Sequence, residues 1–353
     1  VDVEVKTGDF TPLSVKGRYG KDGARIGGNA NFSGSDLLAP FAKRLGQTAR
    51  FGFAAVPDKT RENAQGVAWR LYAENIQTSA HGLINLKDRT APDGVNLTVT
   101  TPSLTRLAGF TLAEATTYTG LFKGDAKTWT LHGSASLQDV DLASYRAARV
   151  SGPLDIAMNK GRIDIVTDAR AMGGSTAGII GALLGATPRV QLEGSRTADG
   201  AYLLKKIDGR GQALTLTGSG GRSITGGLSF RGNADITDIS RIRPGAKGSF
   251  SGPIQASKAR GKTPWVLSFD GRGSRMSVGM DELDRLLGQT PRLKAAGSWR
   301  SGVLSINSSE LTGAAGRMGA KGLIEGGKMR LALDWDARGP FGVGPVAIDG
   351  AMS

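Results

Sequence analysis

The chain has 353 residues, with 45 lysines and arginines against 31 acids, a net charge of +14 and no cysteine. These figures exclude a disulfide scaffold, an iron–sulfur protein and a cysteine-ligated zinc protein; two histidines, His81 and His132, fit a multi-histidine metal site poorly. Glycine is the outlier at 53 residues, about twice the usual share. With aromatics at 6%, this composition predicts many short strands joined by tight turns rather than a helix bundle.

The chain begins at Val1 without a methionine and reads as a piece of something longer. No basic–apolar–small leader opens it. Its longest apolar stretch, 177–186 (AGIIGALLGA), is about half of what a bilayer-spanning helix needs. Any membrane anchor is expected outside this segment.

Period-two alternation dominates from the first residues. Val1, Val3 and Val5 alternate with Asp2, Glu4 and Lys6. The same pattern runs through Leu154, Ile156 and Met158, through Leu214 and Leu216, and through Met329, Leu331, Leu333 and Trp335. One apolar and one polar face per run is the pattern of a sheet wetted on one side. Turn signals lie between the runs at 159–161, 198–200 and 325–327. At roughly 10–12 residues per strand and turn, the chain predicts about 25–30 strands. Short helices are expected only at 36–45, where Pro40 limits the element, at 176–184 and at 281–287.

The helical patches expose an internal repeat. Leu183-Leu184-Gly185-Ala186-Thr187-Pro188-Arg189 recurs as Leu286-Leu287-Gly288-Gln289-Thr290-Pro291-Arg292, and Leu45 to Arg50 is a weaker copy. Ser151-Gly152-Pro153-Leu154 recurs as Ser251-Gly252-Pro253-Ile254, Gly194-Ser195 as Gly297-Ser298, and Leu216-Thr217-Gly218 as Leu311-Thr312-Gly313. The repeat predicts three segments, a divergent copy over 1–130, then 131–230 and 231–353, joined as one continuous elongated module. Each segment alone would leave open sheet edges that the next covers.

Enzyme signatures are missing, and no catalytic, metal or cofactor site is assigned. Gly218 to Ser223 lacks the lysine and spacing of a phosphate loop and reads as a turn. The carboxylate pairs Asp139 with Asp141 and Asp235 with Asp238 read as solvated strand or turn residues, and the two histidines as surface groups. Asn96-Leu97-Thr98 is a glycosylation triplet of a kind common by chance. The positive charge is spread among acids without a basic run, which argues against nucleic acid and suits an anionic surface such as phospholipid headgroups.

The apolar strand faces carry the functional expectation. Built mainly of Val, Leu, Ile and Met diluted by glycine and alanine, they would fill a thick closed core badly. A curved sheet folded along its length would leave an apolar trough suited to flexible acyl chains. The residues expected to line it are Val3, Val5, Leu154, Ile156, Leu214, Leu216, Leu304, Ile306, Met329, Leu331 and Leu333. The short helices are expected to plug, cap or punctuate it.

Leu184 to Gly194 and Leu287 to Gly297, the neighbouring Ser-Gly-Pro-Leu/Ile strands, and the closing 334–345 (DWDARGPFGVGP) resemble the TamB family of Gram-negative envelope proteins, in the style of its alphaproteobacterial members. The likeness covers most of the chain from about residue 130. It implies an all-β, β-taco fold, a long antiparallel sheet folded into a U-shaped groove with a few short helices. It also implies membership of the AsmA-like, bridge-like lipid-transfer proteins, with phospholipid acyl chains as the partner and carriage between the inner and outer membranes. Family members sit in the periplasm, tethered to the inner membrane by an N-terminal segment, and engage a TamA-type outer-membrane barrel; both features would lie outside this chain. The alternative the family implies is a scaffold for assembly and secretion of outer-membrane proteins, pairing client strands at sheet edges.

Overall fold

The computed structural model describes residues 2–352 except 8–9, 34–37, 110, 143–144, 177, 326–327, 340, 344–345 and 349–350, with backbone alone at 2–3, 5–7, 10–11, 142, 341–343, 346–348 and 351–352. Strands hold 66% of the described residues and helices 9%. The all-β class with few short helices is therefore observed. The chain divides into two compact units, 1–176 and 177–353.

Unit one is a meander of eleven strands: β1 (Asp2–Thr7), β2 (Phe10–Gly20), β3 (Gly23–Asn31), β4 (Thr48–Pro57), β5 (Ala64–Ala73), β6 (Gln77–Asn85), β7 (Ala91–Thr101), β8 (Thr116–Gly124), β9 (Thr128–Leu142), β10 (Tyr145–Asn159) and β11 (Arg162–Met172). Each pairs antiparallel with the next. Alternation of Val, Leu, Ile and aromatics with polar residues favours strands, and short loops favour antiparallel neighbours. The β10–β11 hairpin closes on Lys160 and Gly161 with φ +47° and +87°, the left-handed pair of a type I′ turn.

Unit two repeats the plan with β12 (Arg189–Arg196), β13 (Tyr202–Arg210), β14 (Leu214–Arg222), β15 (Leu228–Ile236), β16 (Lys247–Lys258), β17 (Trp265–Ser277), β18 (Arg292–Arg300), β19 (Val303–Thr312), β20 (Gly316–Glu325) and β21 (Lys328–Arg338), again paired in order. β22 (Phe341–Val343) and β23 (Val346–Ile348) form a small ribbon, and β24 (Ala351–Met352) pairs with β21. The turn expected at 325–327 falls largely outside the described residues.

The helices are α1 (Ala39–Leu45), α2 (Leu104–Ala108), α3 (Gly178–Leu184) and α4 (Asp281–Leu287). Three of them match the expected patches. α1 starts later than its patch, with Pro40 in its first turn where a proline is tolerated. α2 was not expected: it is five residues long and capped by the Ser103 side chain.

The seven-residue repeat has a structural basis. The carbonyls of Leu183 and Leu184 accept from the amides of Ala213 and Gln212, and those of Leu286 and Leu287 accept from Ala315 and Ala314. These are helix-end carbonyls that would otherwise be orphaned. Gly185 and Gly288 follow with φ +67° and +64°, and Pro188 and Pro291 are buried. Gly194 and Gly297 mark matching register shifts in β12 and β18. One short marker fails. Gly313 abuts Leu286 and Leu287, and the glycine in that place beside α3 is Gly211, not Gly218. Leu216-Thr217-Gly218 and Leu311-Thr312-Gly313 are thus a coincidence of composition.

Candidate functional site

Strand register assigns every residue to a face, because paired residues project the same way and the pattern alternates. In unit two one face is apolar from β12 to β21. Across successive strands it reads Leu192, Ile207, Gly218, Gly232, Ile254, Phe269, Ala295 and Ser309 along one row, with Leu204, Leu216, Phe230, Phe250, Leu267, Leu293 and Leu311 around it. The opposite face carries Thr215, Thr217, Arg231, Asn233, Gln255, Asp270, Lys294 and Glu310.

All seven unit-two residues expected to line a trough share the apolar face. Leu214 and Leu216 stand opposite Ile236 and Ala234. Leu304 pairs with Ile324 and Ile324 with Met329; Ile306 pairs with Gly322 and Gly322 with Leu331; Leu333 faces Ala320. In unit one Leu154 and Ile156 share a face with Gly133, Leu131, Thr167 and Ile165. The β1 backbone sets Val3 opposite Val15 and Val5 opposite Leu13, and the side chains of both valines lie outside the described residues.

These faces are concave. A Cβ built on Gly232 would lie 2.0 Å from the Thr217 carbonyl oxygen, on Gly252 2.2 Å from that of Asp270, on Gly152 2.1 Å from that of Asp168 and on Gly133 2.2 Å from that of Thr119. Backbone converging this closely fits the inside of a bend, and glycine is the residue that permits it. Gly218 pairs with Gly232 and Gly120 with Gly133, so the glycines form a crease running from strand to strand. Aromatic rings lie over it: Phe230 over Gly218 and Gly232, and Phe250 with Phe269 over Gly271, ring centroids 5.8 Å apart. In unit one Tyr118 covers Gly120 and Gly133, and its hydroxyl reaches past β9 to donate to the Leu154 carbonyl at 3.4 Å. Burial, and secondarily Asp155, pushes that hydroxyl's pKa above its ordinary value.

The large apolar side chains named on the unit-two face are all partly exposed rather than fully buried. Met329, Leu333 and Trp335 are 67%, 63% and 60% exposed on the apolar side of β21.

Of the aromatics on this face, the sequence pattern singled out Trp335 alone. All five tryptophans, Trp69, Trp129, Trp265, Trp299 and Trp335, project from the apolar faces. So do Phe51, Phe53, Phe122, Phe230, Phe250 and Phe269. Their period-two spacing, as in Phe51-x-Phe53, was the available signal.

The remaining polar candidates have local roles. Gly218 to Arg222 is neither a phosphate loop nor a turn but the second half of β14. His132 meets Asp155 at 3.2 Å on the polar face. Asp141 pairs with Arg146, and the Ser240 side chain, then its amide, hold the Asp238 carboxyl below the usual range. Among the described residues no cluster of three metal-ligating side chains occurs, and no helix is long and apolar enough to cross a membrane. Comparison with protein-family models, with curated proteins and with solved structures found no match.

Proposed function

We propose that the chain is a lipid-conducting segment of a TamB-like envelope protein, in which phospholipid acyl chains lie against the concave apolar faces while headgroups stay in water. The observation that carries this reading is the one-sidedness of the sheets. The unit-two face is apolar across ten consecutive strands, creased inward and lined by side chains that stay partly exposed. Moving a tail through water costs about 0.8 kcal/mol per exposed methylene. A continuous apolar trough removes most of that barrier, because each methylene leaves one apolar surface for another. Transfer is then passive and needs no bond-making side chain. On this reading the segment works in the periplasm, and the inner-membrane tether and the contact with a TamA-type barrel belong to regions outside it.

The test is native mass spectrometry with lipid extraction, after incubating the chain with phospholipid vesicles. The wild type should carry phospholipid. Leu216→Arg and Leu331→Arg should lose it while keeping the wild-type circular dichroism spectrum. A wild-type chain that stays lipid-free overturns the reading and favours the scaffold for outer-membrane protein assembly, which uses sheet edges rather than the trough.

A further inference from the structure

We infer that one lip of the unit-two trough, at Arg196, Arg222 and Lys258, binds the phosphate of anionic phospholipid headgroups, an inference that rests on the acyl-chain reading above. The two lips differ. α3, α4 and the 3-10 turn at Ile239–Arg241 all occupy connections into even-numbered strands, so they gather at one end of the strands. Among the described residues the connections at the other end hold turns and short loops without a helix. There the outermost row of the apolar face reads Arg196, Tyr202, Arg222, Leu228, Lys258 and Trp265 from β12 to β17.

The cations of this row are held differently from those on the polar face. On the polar face Arg210 pairs with Asp208, Arg292 with Asp270 and Arg317 with Glu310. On the lip Arg222 lies over the Tyr202 ring and Lys258 over the Trp265 ring, each 5.9 Å from the centroid. A ring orients a cation without neutralising it, so its charge stays available to an anion. The residues 258–264 contain Lys258, Arg260 and Lys262 and no acid. Arg196, Arg222 and Lys258 recur on every second strand, roughly 10 Å apart.

Charge complementarity selects an anion for this lip, and the apolar floor behind it selects an acyl tail. Tyrosine and tryptophan between them suit the boundary between tail and headgroup. The occupant that satisfies all three is a glycerophospholipid with a net negative headgroup, seated tail inward with its phosphate on the lip.

The experiment incubates the full chain with vesicles of phosphatidylglycerol or of phosphatidylcholine carrying the same acyl chains, then re-isolates it and measures bound lipid. The wild type should take up phosphatidylglycerol in excess, by roughly fivefold for each engaged cation at low salt, and the excess should shrink as salt rises. The combined variant Arg196→Gln, Arg222→Gln and Lys258→Gln should bring the two lipids to equal uptake while phosphatidylcholine loading persists. A control with the same charge loss on the polar face, Arg210→Gln, Arg292→Gln and Arg317→Gln, should leave the excess in place. Equal uptake by the wild type, a lip variant that keeps the excess, or a control that loses it overturns the lip assignment and leaves the acyl-chain reading standing. No uptake of either lipid by the wild type overturns both.

Discussion

A side-chain carbon on Gly232 would sit 2.0 Å from the carbonyl oxygen of Thr217, its cross-strand neighbour's flanking residue. Gly232→Ala must therefore push β14 and β15 apart or flatten the crease. Gly209 lies on the same face of the adjoining β13, yet its nearest neighbour, the Leu216 oxygen, would be 3.7 Å from a Cβ. Gly232→Ala is expected to destabilise by about 1–3 kcal/mol, as overpacking does, and Gly209→Ala to be neutral or stabilising by up to ~1 kcal/mol. Urea midpoints of the two variants decide this. Equal shifts would mean that the glycine row is not a crease.

The alternation made the strands legible, and the repeated Leu-Leu-Gly-x-Thr-Pro-Arg located α3 and α4. Both are local patterns, so sequence alone carries them. The crease was not legible. Gly218, Gly220 and Gly221 have the composition of a turn, and only their register against β15 reveals that Gly218 meets Gly232. Register is a non-local property fixed by how strands pair, and the aromatics other than Trp335 went unnoticed for the same reason. Phe230 and Phe250 look scattered along the chain until pairing sets them over Gly218 and Gly271 on the neighbouring strands.

Leu183 is the one buried large side chain of α3, at 5% exposure, whereas Ile179 and Ile180 on the same helix are mostly exposed. The helix is too short to persist without that contact and the bonds from Gln212 and Ala213. Leu183→Ala is expected to cost about 2–4 kcal/mol, and Ile180→Ala well under that. Thermal unfolding followed by circular dichroism would show the contrast. Equal effects would mean that α3 is not anchored through Leu183.

Arg292 donates from Nε and Nη2 to the two Asp270 oxygens at 2.9 and 2.7 Å, which holds the Asp270 carboxyl below its ordinary 3.8. The folded state therefore binds this proton less tightly than the unfolded chain. The pair's contribution is complete above pH 3.8 and fades as pH falls through the lower folded value. Both side chains are exposed, so the contribution is small and weakens with salt. Asp270→Asn should lower stability slightly at neutral pH and converge with the wild type in acid. A gap that persists unchanged down to pH 2 would assign the loss to something other than this ionisation.

The five tryptophans offer a direct readout of whether the apolar faces are occupied. Trp69, Trp299 and Trp335 are 49%, 44% and 60% exposed on those faces, so in the free chain their indoles meet water. An acyl chain seated on the face would replace that water with hydrocarbon and exclude small polar quenchers. Adding phospholipid vesicles should shift tryptophan emission to shorter wavelength and reduce quenching by acrylamide. Trp335→Phe should diminish both effects, because Trp335 is the most exposed of the three and stands beside Leu333 and Met318 on the trough face. Leu331→Arg places a charge on the same strand face, which acyl chains avoid, and should abolish the response of Trp335 together with the lipid uptake. Lipid uptake measured by extraction without any change in emission or quenching would place the lipid on the polar face or the sheet edges, away from the trough.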